Sequence, residues 1–453
     1  MIQMKHDRVS RGGILRTAVA AAALAAMLSG CGALKGDGPE KTPTLGDRVP
    51  ILSKVATGVE IDPALAAVPV ILPAQQVNAE WAQAGGAASK SYGHLSLAAT
   101  PVRAWTASIA GSSDKQRLAA APVIGGGRVY AFDTAGVVHA FAEQNGARVW
   151  ERSLRIKGDG ASSVFGGGAS FADGKLYVTT GTGLVAAVDA ATGAELWQVQ
   201  LPGPLRGSPT IAFGALYVMT QDNKVVSLDI ANGATQWTEA GSQGQSGVFG
   251  VAAPAAAQGT VIAGFSSGEL IAYRYENGRN LWADALARTS ISTSVGTLTD
   301  VDADPIIDGG AVYALGQGGR MAAYELVTGQ RIWELNIAGI STPAVGGEWI
   351  FVLTDDSQVL AIARSSGRIR WIAELPKYRD VEDEKGELFW SGPVLAGDRL
   401  WLTNTNGDVY AVDAASGTAT PFTDLGKAVS LAPVVANNTL YVLDDSGRIT
   451  AWR

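Results

Sequence analysis

The chain has 453 residues, among them 56 Gly and 12 Trp, with charged residues at only 17% and a formal net charge of −7. Such a mix suits many short strands joined by glycine turns, with aromatic rings packed between layers. The acidic balance, with no basic stripe to displace counterions, argues against a nucleic-acid partner.

Lys5, Arg8, Arg11 and Arg16 precede an apolar, alanine-rich run from Thr17 to Leu28. The run is shorter than the roughly 20 residues of a membrane span and fits a secretory signal. It ends in Leu28-Ser29-Gly30-Cys31, which resembles the lipobox of bacterial lipoproteins. That resemblance implies a signal peptide over residues 1–30, lipidation of Cys31 and a new N-terminus there. Gly32, standing where an Asp would retain a lipoprotein at the inner membrane, implies sorting to the periplasmic face of the outer membrane. Cys31 is the single cysteine of the chain. Its use for lipid leaves no disulfide, thiolate metal site or cysteine nucleophile. With about 0.8 kcal/mol per buried CH₂, two or more acyl chains anchor a protein stably. Residues 31–80 follow as lipidated Cys and tether. Gly32 to Arg48 reads as flexible, and Val49 to Gln76 as a stretch with extended pieces lying on the domain.

From about Gly93 onward one unit recurs, within a propeller domain expected over residues 81–453. Its clearest copy runs Gly174-Lys175-Leu176-Tyr177-Val178, Gly183 to Asp189, then Gly193-Ala194-Glu195-Leu196-Trp197. Each piece alternates with period 2, which predicts strands with one buried face. The position in the second strand recurs as Tyr130, Tyr177, Tyr217, Val261, Tyr313, Phe351, Trp401 and Tyr441. The spacing of about 44 residues is that of a propeller blade. Proline usually opens the first strand, and Trp150, Trp197, Trp237, Trp282, Trp333 and Trp371 mark the outer one. The seventh copy has Pro421-Phe422 instead, and the eighth stops at Trp452-Arg453, before any outer strand. Trp105 lies one period upstream of Trp150, so Val102 to Ile109 should supply the missing strand. The prediction is an all-β, eight-bladed propeller of four-stranded antiparallel blades, closed by an N-terminal strand that completes the last blade. Asp189, Asp229 and Asp413 precede Gly193, Gly233 and Gly417 by four residues. A carboxylate there can cap the turn while Gly takes the left-handed position.

The pattern Ala-x-Asp-x-x-x-Gly-x-x-x-Trp at Ala187–Trp197 resembles the repeat of quinoprotein-type propellers. Two branches of that superfamily are relevant: quinone-dependent alcohol and glucose dehydrogenases, and the outer-membrane assembly factors of the BamB family. The anchor, the size and the eight copies resemble the second, as does Trp81-x-Gln83-x-Gly85-Gly86 ahead of the ring. The resemblance implies a non-catalytic scaffold of the β-barrel assembly (BAM) complex, with a POTRA domain of BamA, other BAM subunits and unfolded outer-membrane clients as partners. It also maps partner contacts onto Leu205 and Arg206, between the second and third blades, and onto Asp300 and Asp302, between the fourth and fifth. Both connections leave the same face of the disc. An exposed Leu beside Arg, with carboxylates for a basic patch, would suit a binding hot spot. Gly203 stands where the family often has a second Leu. The plainer alternative is structural: Arg206 bonds loop carbonyls and the two aspartates cap turns.

Catalytic chemistry is sparse. His6 lies in the leader, and His94 and His139 stand alone, without a second His to form a metal pair. Asp300, Asp302, Asp304 and Asp308 invite a calcium reading, but Pro305 and Ala311 occupy positions where a calcium-binding loop needs Gly and a bidentate Glu. Gly166-Gly167-Gly168 lacks the strand-then-helix setting of a phosphate site. The quinone enzymes typically carry a vicinal disulfide and a carboxylate-held calcium, and this chain has no cysteine pair. No enzyme activity, metal or cofactor is expected; a periplasmic quinone-dependent dehydrogenase is the rival reading.

Overall fold

The computed structural model describes residues 59–154, 166–242, 252–286 and 300–453. Cys31, the leader and the first part of the tether lie outside the described residues. Among those described, eight four-stranded antiparallel sheets follow one another as blades, each running from an inner strand to an outer one. Blade 1 spans Val123–Gly125, Arg128–Phe132, Val137–Ala142 and Arg148–Ser153. Blade 8 takes three strands from the C-terminus and its outer strand, Arg103–Ser108, from the other end of the chain. Trp105 pairs with Ala451 there. Beyond the strand, Val102 and Arg453 exchange backbone hydrogen bonds of 2.6 and 2.9 Å. The closing strand thus falls where the Trp spacing puts it.

The period-2 burial expected of every strand is confined to the outer ones. Thr235–Ala240 alternates between exposed and buried, whereas Ala215–Met219 is buried throughout. The cause is layering. Second and third strands are covered by a neighbouring blade on each side, and only the outer strand meets solvent.

The conserved spacing within the repeat has a direct mechanical meaning. Asp189 Oδ1 accepts from the backbone N–H groups of Ala191 and Thr192 at 3.1 and 2.8 Å, closing the turn before the outer strand. Gly193 sits in that turn at φ +74°, and a Cβ there would lie 2.7 Å from the Trp150 ring of the preceding blade. Trp150 Nε1 donates to Ala190 O of the same turn at 3.1 Å. The same arrangement joins Trp105 to Glu143, Trp197 to Ile230, Trp237 to Tyr275, Trp282 to Leu326, Trp333 to Arg364 and Trp371 to Ala414. Between blades 7 and 8 no such turn is present among the described residues, because the outer strand of blade 8 is Arg103–Ser108 and does not follow on from its third strand. Phe422 stands there instead, edge-on to Trp401 and Trp452 with centroids 5.1 and 6.1 Å away. The departure of the seventh copy from Trp is therefore what the seam requires.

Residues 59–97 pack on this ring. Asp62 N donates to Ile369 O of blade 6 at 2.9 Å, and Arg370 Nε to Val68 O at 2.6 Å. The chain then crosses the end of the central channel where the inner strands finish. Backbone bonds tie Asn78 to Asn437, Trp81 to Ile124, Ala82 to Phe171, Ala88 to Ala256, Ser89 to Ile307 and Leu95 to Leu395. The Gln83 amide both donates to Ile211 O (3.1 Å) and accepts from Ile211 N (2.8 Å). This segment touches the inner strands of seven blades and plugs one end of the channel. Among the two solitary histidines, His94 serves the plug. Its Nδ1 donates to Pro73 O (2.8 Å) and its Nε2 accepts from Asp398 N (3.0 Å). His139 is buried in a strand against Asp133 at 2.7 Å.

Trp105→Ala is expected to destabilise the domain by about 3–5 kcal/mol, as large-to-small core changes do. Leu196→Ala, on an exposed outer-strand position, should move it by less than about 0.5 kcal/mol. Denaturant unfolding followed by tryptophan fluorescence compares the two.

Candidate partner-binding site

The connections from outer to inner strands all emerge on the face opposite the plug. The four residues singled out from the sequence lie on two of these connections, and the structure brings three of them into contact. Arg206 Nη2 donates to Asp300 Oδ1 at 2.9 Å and to Asp302 Oδ1 at 3.0 Å. Arg206 and Asp300 are buried, and the Asp302 side chain is 9% exposed. The blade 2–3 and blade 4–5 connections are thereby clamped together.

Leu205 is not the exposed residue that a hot spot beside Arg would call for. It is fully buried, paired with Thr220 and packed with Tyr177, Val185, Leu216 and Val218. Its side chain belongs to the packing between blades 2 and 3, next to the connection that carries Arg206. Arg206 O also accepts from Gly167 N at 2.9 Å, and a Cβ on Gly166 would lie 2.4 Å from Leu205 O. The three-glycine run is thus a close backbone contact between neighbouring connections.

What this face exposes is different. Pro202, Gly203 and Pro204 precede the clamp and are solvent-facing. Ile340, on the blade 5–6 connection, is 50% exposed. Between blades 6 and 7 a two-stranded hairpin, Tyr378–Asp380 with Lys385–Glu387, carries exposed Val381 and Phe389 beside it. These residues have no counterparts in the other repeats, so the repeat pattern offered no signal for them; only the length of the 6–7 connection did.

Inside the ring, the segments leading into the inner strands wall a cavity of about 250 Å³, with Trp81, Gln83 and Tyr92 of the plug at its base. Asp302 and Asp304 both reach it. Asp304 Oδ1 accepts from Ala253 N at 2.7 Å. Its partner in charge is Lys90 of the plug, whose Nζ donates to Ala84 O (2.9 Å) and Thr210 Oγ1 (3.1 Å). Burial lowers the Lys90 pKa and raises that of Asp304, each partly offset by the other. Burial, and then the neighbouring Asp300, push Asp302 up to about 7, because one shared guanidinium cannot offset both. Three of the four aspartates of the calcium reading are taken by arginines, Asp300 and Asp302 by Arg206 and Asp308 by Arg364 at 2.6 Å, while Asp304 accepts from Ala253 N. Among the described residues no group of three or more His, Cys, Asp or Glu is placed to hold a metal ion.

An eight-bladed ring of four-stranded blades, its outer-strand tryptophans docked on the next blade's turn, is a β-propeller built of PQQ-like repeats. The chain belongs to the outer membrane protein assembly factor BamB family, whose family model matches residues 134–373. It is 30% identical over 357 residues to the BamB of Salmonella typhimurium, a match covering 78% of this chain and 88% of that protein. The crystal structure of BamB from Moraxella catarrhalis superposes with a TM-score of 0.67 at 22% identity, covering 78% of this chain and 99% of that one. A quinohemoprotein alcohol dehydrogenase from Comamonas testosteroni shares the fold at a TM-score of 0.65 and 14% identity, over 83% and 80% of the two chains.

Two outcomes follow for the clamp. Arg206→Ala leaves two buried carboxylates without their cation and should cost about 3–5 kcal/mol, with much of the loss recovered on adding Asp300→Asn and Asp302→Asn. The raised pKa of Asp302 also sets a pH signature. A carboxyl that binds its proton more tightly folded than unfolded favours the folded state below about pH 4, and that contribution disappears as the pH rises through about 7. Thermal melts should therefore show Asp302→Asn gaining on the natural chain steadily from pH 4 to pH 8.

Proposed function

We propose that this protein is a non-catalytic scaffold lipoprotein of the outer-membrane β-barrel assembly machinery, held at the periplasmic face of the outer membrane by lipid on Cys31. In this reading its loop face binds a POTRA domain of the barrel-inserting subunit BamA, other subunits assemble around the pair, and unfolded barrel precursors are its clients. The observation that carries the proposal is the meeting, on one face, of the two connections that the family resemblance assigns to BamA. Family membership supports the assembly role.

The burial of Leu205, Arg206 and Asp300 gives the four residues a specific part in this reading. Arg206, Asp300 and Asp302 fix the two connections in one arrangement, with Leu205 wedged beneath. The partner then meets the rigid surface they hold: Pro202 to Pro204, Ile340, and Phe389 beside the hairpin. Exposed apolar groups around a preorganised centre are the usual anchors of such contacts.

Arg206→Glu turns the clamp into three carboxylates and is expected to abolish co-purification with BamA from native membranes. Phe389→Glu, at a solvent-facing position, should weaken recovery at least about tenfold without lowering the melting temperature. Undiminished recovery of BamA with both variants would remove the loop face as its docking site. Cys31→Ser should release the protein from the membrane fraction.

A further inference from the structure

The central cavity is unused by the scaffold role, and its chemistry is selective. Its base is aromatic: the rings of Trp81 and Tyr92 lie 4.9 Å apart. Its walls include Ile340, Leu431 and Pro433. The charge around it is unbalanced among the described residues. Asp304 is matched by Lys90. Asp300 and Asp302 share a single nitrogen of Arg206. The Oδ2 atom of Asp300 is buried with no hydrogen-bond partner, and Asp355 adds a further negative neighbour to Asp302. The Asp302 side chain is nine-tenths buried, spends only Oδ1 on Arg206, and lines the cavity.

We propose that this cavity is a binding site for an organic cation, an ammonium or guanidinium group carried on an apolar stem, with Asp302 as its counter-ion and Trp81 and Tyr92 as its aromatic bed. Three physical arguments select that class. Among the described residues, an anion would add to the negative charge of Asp300, Asp302 and Asp355. A hard divalent ion takes six to eight oxygen ligands, and here Asp304 is engaged by Ala253 and Lys90 while much of the wall is apolar. A cation on a carbon stem satisfies the carboxylate, rests against the rings and fills the apolar remainder. The volume, about 250 Å³, is below the roughly 300–1,000 Å³ that holds drug-sized molecules and suits one side chain or a short alkylamine. The same chemistry can arrive as a free amine or as a Lys or Arg side chain of a polypeptide entering from the loop face.

The test is calorimetric titration of the purified full-length protein with n-butylammonium, with the blocked amino acids N-acetyl-lysine-methylamide and N-acetyl-arginine-methylamide, and with butyrate as the anionic control. Saturable binding of at least one cation and none of butyrate is expected. Asp302→Asn should weaken it by more than about tenfold, the equivalent of 1.4 kcal/mol. Ile340→Trp, which places a bulky ring at a half-exposed wall position, should block it, while Glu195→Gln, on an exposed outer-strand position outside the cavity lining, should leave it unchanged. Melting curves show that each variant is folded. Equal affinity for n-butylammonium and the blocked amino acids assigns the site to free amines; tighter binding of the blocked amino acids assigns it to polypeptide side chains. Absence of saturable binding by all three cations, or undiminished binding to a folded Asp302→Asn protein, overturns the site. The outcome is independent of BamA recovery, so it stands or falls apart from the scaffold reading.

Discussion

The indole of an outer-strand tryptophan, laid on the turn glycine of the next blade and bonded to its carbonyl, is the contact on which the ring depends. It fixes the angle between neighbours, so repeating it carries the sheets around a circle. Each member is demanding. The glycine must lack a Cβ because the ring occupies that space, and the turn must be held, in the second blade by Asp189, so that the carbonyl faces the indole. A propeller has no separate core to fall back on. Its stability is spread over junctions, each burying apolar surface between two sheets.

This explains what could be read from the sequence. Gly193 and Trp197 keep their spacing because one turn and one docking event impose it, and six copies of the pair expose the pattern to inspection. Trp105 could be placed by the same logic before any contact was known. The plug could not. Residues 76–97 have no periodicity because their order comes from bonds to the inner strands of seven blades, partners that exist only once the ring does. Lys90 is equally silent, since its bond to Thr210 and its charge neighbour Asp304 both lie far along the chain from the plug. The second strands show a related limit: period 2 was visible, but burial on both faces comes from stacking of blades, which no single strand encodes.

The loop face shows how a pattern can locate residues and still misassign their contacts. Leu205-Arg206 and Asp300/Asp302 were rightly set on one face by topology. Their meeting spans 94 residues of chain, and a local reading treats each pair as facing solvent. Bringing a guanidinium to two carboxylates removes all three from water, and the energetic argument changes with it. Buried ion clusters add little net stability over apolar packing, whereas separating one member from its partners is costly. The clamp is therefore better suited to specifying the shape of a surface than to supplying its affinity, and apolar neighbours such as Ile340 and Phe389 are the groups left free to do that.

The pairing of Arg103–Ser108 with Arg448–Trp452 also constrains the order of events in the cell. The strand made early in synthesis finds its partner only when the last residues appear. Until then blade 8 is incomplete and both flanks of the growing stack carry open strand edges, which invite mispairing. Contacts this distant along the chain make closure slow. Closing the ring therefore sets the two ends of one chain in competition with any other strand edge that is present before they meet.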